Sequence, residues 1–279
     1  MSRFNQTSAR SCAILSLGAA LLLAPLDAAK ADPAAYEVTF GGGGSNLFGT
    51  VDLATGAFTQ TSTLSFIPTG ISEIGSNFYT STFTGAAFDQ IDPATGAVTQ
   101  ISDVGLGGSE YLAQGSTLNT IYALDGSFNL YSVNPATGAG TLIGPTDLPL
   151  NPAYQLSTGS SVLYFGEGNE LYGLNTLTGA ATDIGPTGLF GDGIDGLVSE
   201  GGVLYAGYAA SGSAPPGSIY TIDTTSGAAT FLATQSSTIG LVYGLAPIVP
   251  EPSTWTMFGL AFLALAAFRP RLMRRLARA

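Results

Sequence analysis

Between residues 36 and 248 the apolar and polar positions run in short alternating stretches, and one stretch recurs five times. The recurring pattern reads DLATGAFT from Asp52, DPATGAVT from Asp92, NPATGAGT from Asn134, NTLTGAAT from Asn175 and DTTSGAAT from Asp223. Its glycines, Gly56, Gly96, Gly138, Gly179 and Gly227, are spaced by 40, 42, 41 and 48 residues, the last interval being lengthened by an insertion over Ala210–Gly217. Each motif predicts a β-hairpin turn: an Asx side chain opens it, Pro93 and Pro135 preset φ at the second position, and glycine takes the left-handed position. An apolar residue precedes each turn (Val51, Ile91, Val133, Leu174, Ile222) and Ala and Thr follow it at alternate positions, as in a strand. Asparagine replaces aspartate in two of the five motifs, so this column serves hydrogen bonding, not charge.

Upstream of four of these turns lies a second strand with an aromatic pair: Phe78-Tyr79, Ile121-Tyr122, Leu163-Tyr164 and Leu204-Tyr205. About 41 residues per repeat accommodates four short strands, the size of one propeller blade. Tyr36–Phe40 aligns with a second strand that has no first strand before it, and Leu241–Ile248 with a first strand that has no second after it. The expected fold is therefore all-β: a five-bladed β-propeller over about 36–248, one blade completed by both ends of the domain so that no sheet edge is left at the seam. A β-solenoid or β-sandwich is the alternative.

The longest apolar runs lie at the two ends. Residues 1–31 have the three parts of a secretory signal peptide: Arg3 and Arg10, the apolar run Cys12–Leu26, then Ala29-Lys30-Ala31, which places cleavage after Ala31. Residues 249–279 begin with Val249-Pro250-Glu251-Pro252, a helix-incompatible segment because two prolines fix φ and remove donors. A short transmembrane helix is expected over 253–268, followed by Arg269, Arg271, Arg274, Arg275 and Arg278, which predict a cytoplasmic tail.

This order of parts resembles the PEP-CTERM sorting signal: a Val-Pro-Glu-Pro motif, a short hydrophobic helix and an arginine-rich end. The same C-terminal module has also been described from ice-binding proteins. The resemblance implies recognition by an exosortase, removal of the tail, and delivery to the surface or extracellular matrix of a Gram-negative bacterium. It covers only the tail. Within the repeats, Ile194-Asp195-Gly196-Leu197 looks like the first strand of generic propeller families.

Charge changes the picture of the body. The net charge is −11, yet every basic residue is terminal; from Asp32 to Pro250 there is no Lys, Arg or His against 17 Asp and Glu. Such a body repels phosphates and anionic lipid, which excludes nucleic acid as a partner. It has no imidazole for a Ser-His or Cys-His system, no amine for a Schiff base and no side-chain cation for a phosphate. Cys12, the single cysteine, lies in the leader. No cofactor is implied.

In a propeller the first strand of each blade lines the channel, and aligning those strands puts Thr69, Glu110, Tyr154, Asp195 and Tyr243 in one column, Glu110 needing a two-residue insertion. Such a ring at a channel mouth suits a cation or a sugar. A weaker candidate is Asp183, Asp192 and Asp195 around a Gly-rich stretch, oxygen ligands of the kind Ca²⁺ takes but without EF-hand spacing. The expected function is a non-catalytic binding or structural propeller, exported by signal peptidase, anchored in the inner membrane as a precursor and delivered by an exosortase to the surface or matrix, with exopolysaccharide as its matrix partner. Two other readings are a glycan hydrolase using Glu110 and Asp195 as acid and base, and an ice-active surface built on Thr59, Thr99, Thr141, Thr182 and Thr230.

Overall fold

The computed structural model describes residues 32–248 apart from 42–44, 83–86, 103–110, 118, 149–153, 168, 190–192, 209–214, 216 and 237. The leader with Ala29 and Ala31, the tail from Val249 through its five arginines, Glu110 and Asp192 all lie outside the described residues. Among the described residues there are only strands, turns and bridges, and no helix long and apolar enough to cross a membrane.

The strands group by fours, each group an antiparallel meander. Blade 2 comprises β4 (Pro68–Ile74), β5 (Asn77–Thr82), β6 (Phe88–Ile91) and β7 (Val98–Ser102). Blade 3 comprises β8 (Tyr111–Ser116), β9 (Ile121–Asp125), β10 (Asn129–Val133) and β11 (Gly140–Pro145). Blade 4 comprises β12 (Tyr154–Thr158), β13 (Leu163–Glu167), β14 (Glu170–Leu174) and β15 (Ala181–Pro186). Blade 5 comprises β16 (Ile194–Glu200), β17 (Val203–Tyr208), β18 (Ser218–Ile222) and β19 (Ala229–Thr234).

Blade 1 is built from both ends of the domain. Its outer three strands are β1 (Ala34–Gly41), β2 (Asn46–Asp52) and β3 (Phe58–Leu64), and its innermost is the last strand, β20 (Gly240–Pro247), paired to β1 from Ala35↔Pro247 to Gly41↔Gly240. The innermost strands β4, β8, β12, β16 and β20 each touch the next, and β20 touches β4, so the ring closes. Parallel pairs such as Gly70↔Gln114 and Ser157↔Leu197 stitch neighbouring inner strands together. The fold is the expected five-bladed β-propeller.

The buried apolar residues form five clusters, one for each blade interface. The aromatic column supplies a ring to each: Tyr36 packs with Phe48 and Phe78 between blades 1 and 2, Tyr79 with Phe88 between 2 and 3, and Tyr205 with Val198 and Ile219 between 5 and 1. Burying a side chain the size of Phe48, Phe88 or Phe165 contributes about 2–3 kcal/mol. With no cation in the body and no disulfide, these seams carry the stability.

The repeated turns form as expected and do a second job. Asp92 Oδ1 accepts the amides of Ala94 (2.8 Å) and Thr95 (3.2 Å), and Asn175 Oδ1 those of Leu177 (2.9 Å) and Thr178 (3.2 Å), so carboxylate and amide act alike. The turn threonine then accepts an amide two residues on, as Thr95 Oγ1 does from Ala97 at 3.3 Å. The motif glycines have φ of 74, 68, 69, 86 and 80°. Each also abuts the end of the preceding blade's outer strand: a Cβ on Gly96 would meet Ser62, on Gly138 Ser102, on Gly179 Gly144, on Gly227 Gly185, and on Gly56 the Thr234 carbonyl. The turns therefore interlock the blades around the rim, including the seam from blade 5 to blade 1.

All five outermost strands carry one extra residue at the same place: Thr61, Ile101, Ile143, Ile184 and Leu232. A bulge on an edge strand twists it away from pairing with another chain. The threonines Thr59, Thr99, Thr141, Thr182 and Thr230 stand one per blade on these separate strands.

Candidate functional site

Of the predicted column, Thr69, Tyr154 and Asp195 fall within the first two residues of their inner strands and Tyr243 is the fourth residue of β20. Thr69, Tyr154, Asp195 and Tyr243 occupy equivalent positions, each three residues before the one that lies across from the aromatic column. In blade 3 that position is held by Leu112, two residues after Glu110. A local irregularity sets these positions apart. Asp195, Tyr243 and Leu112 are each the extra residue of a β-bulge, and Thr69 and Gly70 together oppose one residue of β5. A bulge re-aims side chains and bends the strand, and it recurs at the same place in four of the five inner strands. Thr69 is buried and its hydroxyl donates to the Ser81 carbonyl at 3.3 Å; Asp195 and Tyr243 are half-buried, Tyr243 packed on Phe40 with ring centroids 5.1 Å apart.

Beneath the column the channel is filled by polar side chains that bond across blades. Gln155, from β12, donates to the carbonyls of Asp195 (3.0 Å) and Tyr243 (2.9 Å), on two other inner strands, and a Cβ on Gly70 of a third would come within 3.1 Å of its Oε1. Gln114, from β8, donates to Ser72 Oγ at 2.6 Å and accepts the Ser81 hydroxyl. Thr158 Oγ1 donates to the Ile71 carbonyl at 2.8 Å, and Ser116 Oγ to that of Glu73 at 2.9 Å. Both glutamines are buried and bonded, so the axis is a packed polar plug. Sequence reasoning missed it. Its signal was available: Gln114, Ser157, Thr158 and Ser116 are polar residues on strands that a purely apolar reading would leave unexplained.

A second feature lies at the same end of blade 4. Glu167, paired with Tyr154, is buried with neither carboxylate oxygen hydrogen-bonded, and burial pushes it up to about 7. Asp125 holds the same place in blade 3, paired with Tyr111. There burial acts to raise the carboxyl, but donors from Asn129, Ser127 and Tyr131 outweigh it and hold it below its ordinary range.

The calcium candidates are not drawn to one point among the described residues. Asp183 is exposed on the outermost strand of blade 4, opposite Tyr172, while Asp195 sits on the innermost strand of blade 5. No three Asp, Glu, His or Cys among the described residues converge on a metal position. An open cavity of about 440 Å³ is found elsewhere, on the turn side of blade 2, lined by Asn77, Gln90, Asp92 and Thr99 among others.

Fold and column together define a propeller with a closed rim and a plugged axis, a body class that hosts many functions. The tail is more specific: the family model described as the PEP-CTERM protein-sorting motif matches residues 249–274, so the chain carries a PEP-CTERM sorting signal, the mark of an exported, exosortase-sorted surface protein. Among curated proteins no relative matches the chain. Three solved structures show a general likeness. A structural genomics protein of unknown function from Bacteroides thetaiotaomicron has 16% identity over 68% of this chain and 55% of its own, with a TM-score of 0.48. This chain thus spans about half of that relative. A nidogen/laminin complex chain has 14% identity over 77% of this chain and 81% of its own, with a TM-score of 0.45. The computationally designed Ika8 protein has 15% identity over 71% and 61%, with a TM-score of 0.38. The fold assignment rests on the strand pairing itself.

Proposed function

We propose that the chain is an exported surface or matrix protein whose propeller is a non-catalytic binding and structural body. The observation that carries this reading is the sorting motif at 249–274, which begins two residues after the strand that closes the ring. In this reading signal peptidase cuts after Ala31, the tail holds the precursor in the inner membrane, and an exosortase releases it to the surface or matrix. The body's chemistry supports a binding role: it has no imidazole, amine or guanidinium, and its axis is occupied by its own glutamines. The half-buried Asp195 and Tyr243 of the column are the groups proposed to meet a neutral or cation-bridged exopolysaccharide.

Intact-mass measurement of the protein in each cell fraction tests the sorting reading. The expected species starts at Asp32, ends near Pro252 and is found at the surface or in the medium. A membrane species retaining Arg269–Arg278 at steady state would overturn delivery by an exosortase. A panel of polysaccharides tests the role of the body: binding without turnover is expected, and hydrolysis lost in Asp195→Asn would instead establish the carboxylate hydrolase.

A further inference from the structure

Glu37 lies on β1, the first strand of the ring, and faces blade 5 across the closing seam. Its neighbours Tyr36 and Val38 point the other way, into the packing of blades 1 and 2, while Ala35 joins the cluster between blades 5 and 1. The carboxyl is fully buried. Its Oε2 accepts a hydrogen bond of 2.6 Å from Nε2 of Gln235, which follows β19 at the end of blade 5. Two acceptors are left over in this pair: Oε1 of Glu37 and Oε1 of Gln235, both buried and neither hydrogen-bonded. Two lone-pair oxygens left dry on one bonded pair would cost several kcal/mol. A single proton removes the cost, because a carboxylic acid and a primary amide join through two hydrogen bonds.

This arrangement is confined to the seam. The positions equivalent to Glu37 in the other blades are Thr80, Ala123, Phe165 and Ala206, none of them ionisable. The positions equivalent to Gln235 in blades 3 and 4 are Thr146 and Thr187, whose hydroxyls bond within their own blades, to the carbonyls of Phe128 (2.8 Å) and Asn169 (3.1 Å). Gln235 has the same backbone placement, its amide donating to the Gly217 carbonyl as those of Thr146 and Thr187 donate to Phe128 and Asn169. Its side chain alone of the three reaches the next blade.

We infer that Glu37 is held as a neutral acid, its O–H donating to Gln235 Oε1 while Gln235 Nε2–H donates to Glu37 Oε2, and that this acid–amide pair is a proton-dependent latch on the closing seam. Burial raises the Glu37 carboxyl to about 8, with the Gln235 bond working against that shift. The surroundings offer no cation to favour the anion. Of the titratable groups on the packed elements, Tyr205 on β17 faces the seam; Tyr36 and Tyr243 point toward blade 2, and Tyr208 and Tyr220 toward blade 4. Glu73 on β4 and Asp195 and Glu200 on β16 sit near the ends of their strands.

A carboxyl whose folded pKa is raised stabilises the closed ring fully below the unfolded glutamate value. The contribution falls as pH climbs toward the folded value and is gone above it. The ring is therefore tight in acid and loosens toward alkali, and an exported protein has no cytoplasmic buffer to shield it from that change.

The test compares the full domain with Glu37→Gln, whose amide keeps both hydrogen bonds and cannot ionise. The two should unfold alike at about pH 5. Between about pH 5 and pH 8 the parent's hydrogen-exchange protection at the β1 amides should fall relative to Glu37→Gln, by as much as roughly tenfold per pH unit. The protonated-carboxyl infrared absorption of the parent at neutral pH should lose one component in Glu37→Gln, leaving that of Glu73 and Glu167. Gln235→Leu, which removes the amide half of the latch, should reduce β1 protection most at about pH 5 and least above about pH 8. Parallel pH profiles for parent and Glu37→Gln, or an unchanged carboxyl band, would overturn the latch without touching the sorting reading.

Discussion

The motif glycines answer two demands at once, and these separate experimentally. Gly75, in the β4–β5 hairpin, has φ of 66° and nothing within 4 Å of where an added methyl would stand, so Gly75→Ala should cost only the left-handed strain, about 1 kcal/mol. Gly96 has φ of 68° and meets Ser62 of the preceding blade, so Gly96→Ala should cost that strain and force the rim contact apart, about 2–4 kcal/mol. Equal costs in urea unfolding would mean the rim contact carries nothing. At Asp92 the reverse holds: Asp92→Asn should stay within about 0.5 kcal/mol, while Asp92→Ala loses the accepted turn amides and about 1 kcal/mol.

At the scale of strands, the sequence showed most of what the backbone does. The turn column, the apolar residue before it and the aromatic column lie at fixed offsets, and they carry β5, β9, β13 and β17 and the turns between outer strands. The split blade was legible because Tyr36–Phe40 and Leu241–Ile248 each matched a single strand of a repeat whose partner strand was missing beside it. The bulges were not legible. One extra residue in a strand shifts alternation by one, which looks like any irregularity until the partner strand is known. The plug was legible only as unexplained polar residues, because Gln114 and Gln155 find their partners on other strands, at separations of 33 residues and more. Gln155 binds three inner strands into one unit, so Gln155→Ala, which removes two bonds to other strands and the one accepted from the Leu156 amide and leaves a void, should cost about 2–4 kcal/mol. A cost under about 0.5 kcal/mol, measured by urea unfolding, would mean that the plug is filler.

For the molecule as a whole, the missing cations set the pH response. Glu37 is raised to about 8 and Glu73 and Glu167 to about 7, in each case first by burial, so the folded chain holds protons that the unfolded chain has released. The contribution of these three carboxyls is therefore full below about pH 4.3, falls as pH climbs to about 7–8 and is gone beyond, while Asp125, held below its ordinary range, loses its own contribution only in acid. Surface repulsion among carboxylates with no opposing charge pushes the same way and is screened by salt. The urea midpoint should drop between about pH 5 and pH 8, and added salt should recover part of the loss at the upper end. A midpoint that rises over that range would contradict the burial of these three carboxylates.

The split blade also imposes an order in time. Every other blade can assemble as its four strands emerge, but blade 1 waits with β1 unfinished until β20 has been synthesised and moved across. The last residue of that strand, Pro247, stands two positions before Val249, where the sorting signal opens. Completion of the ring and exposure of the address label thus fall at the same moment of the chain's passage, and a molecule stalled earlier would have neither.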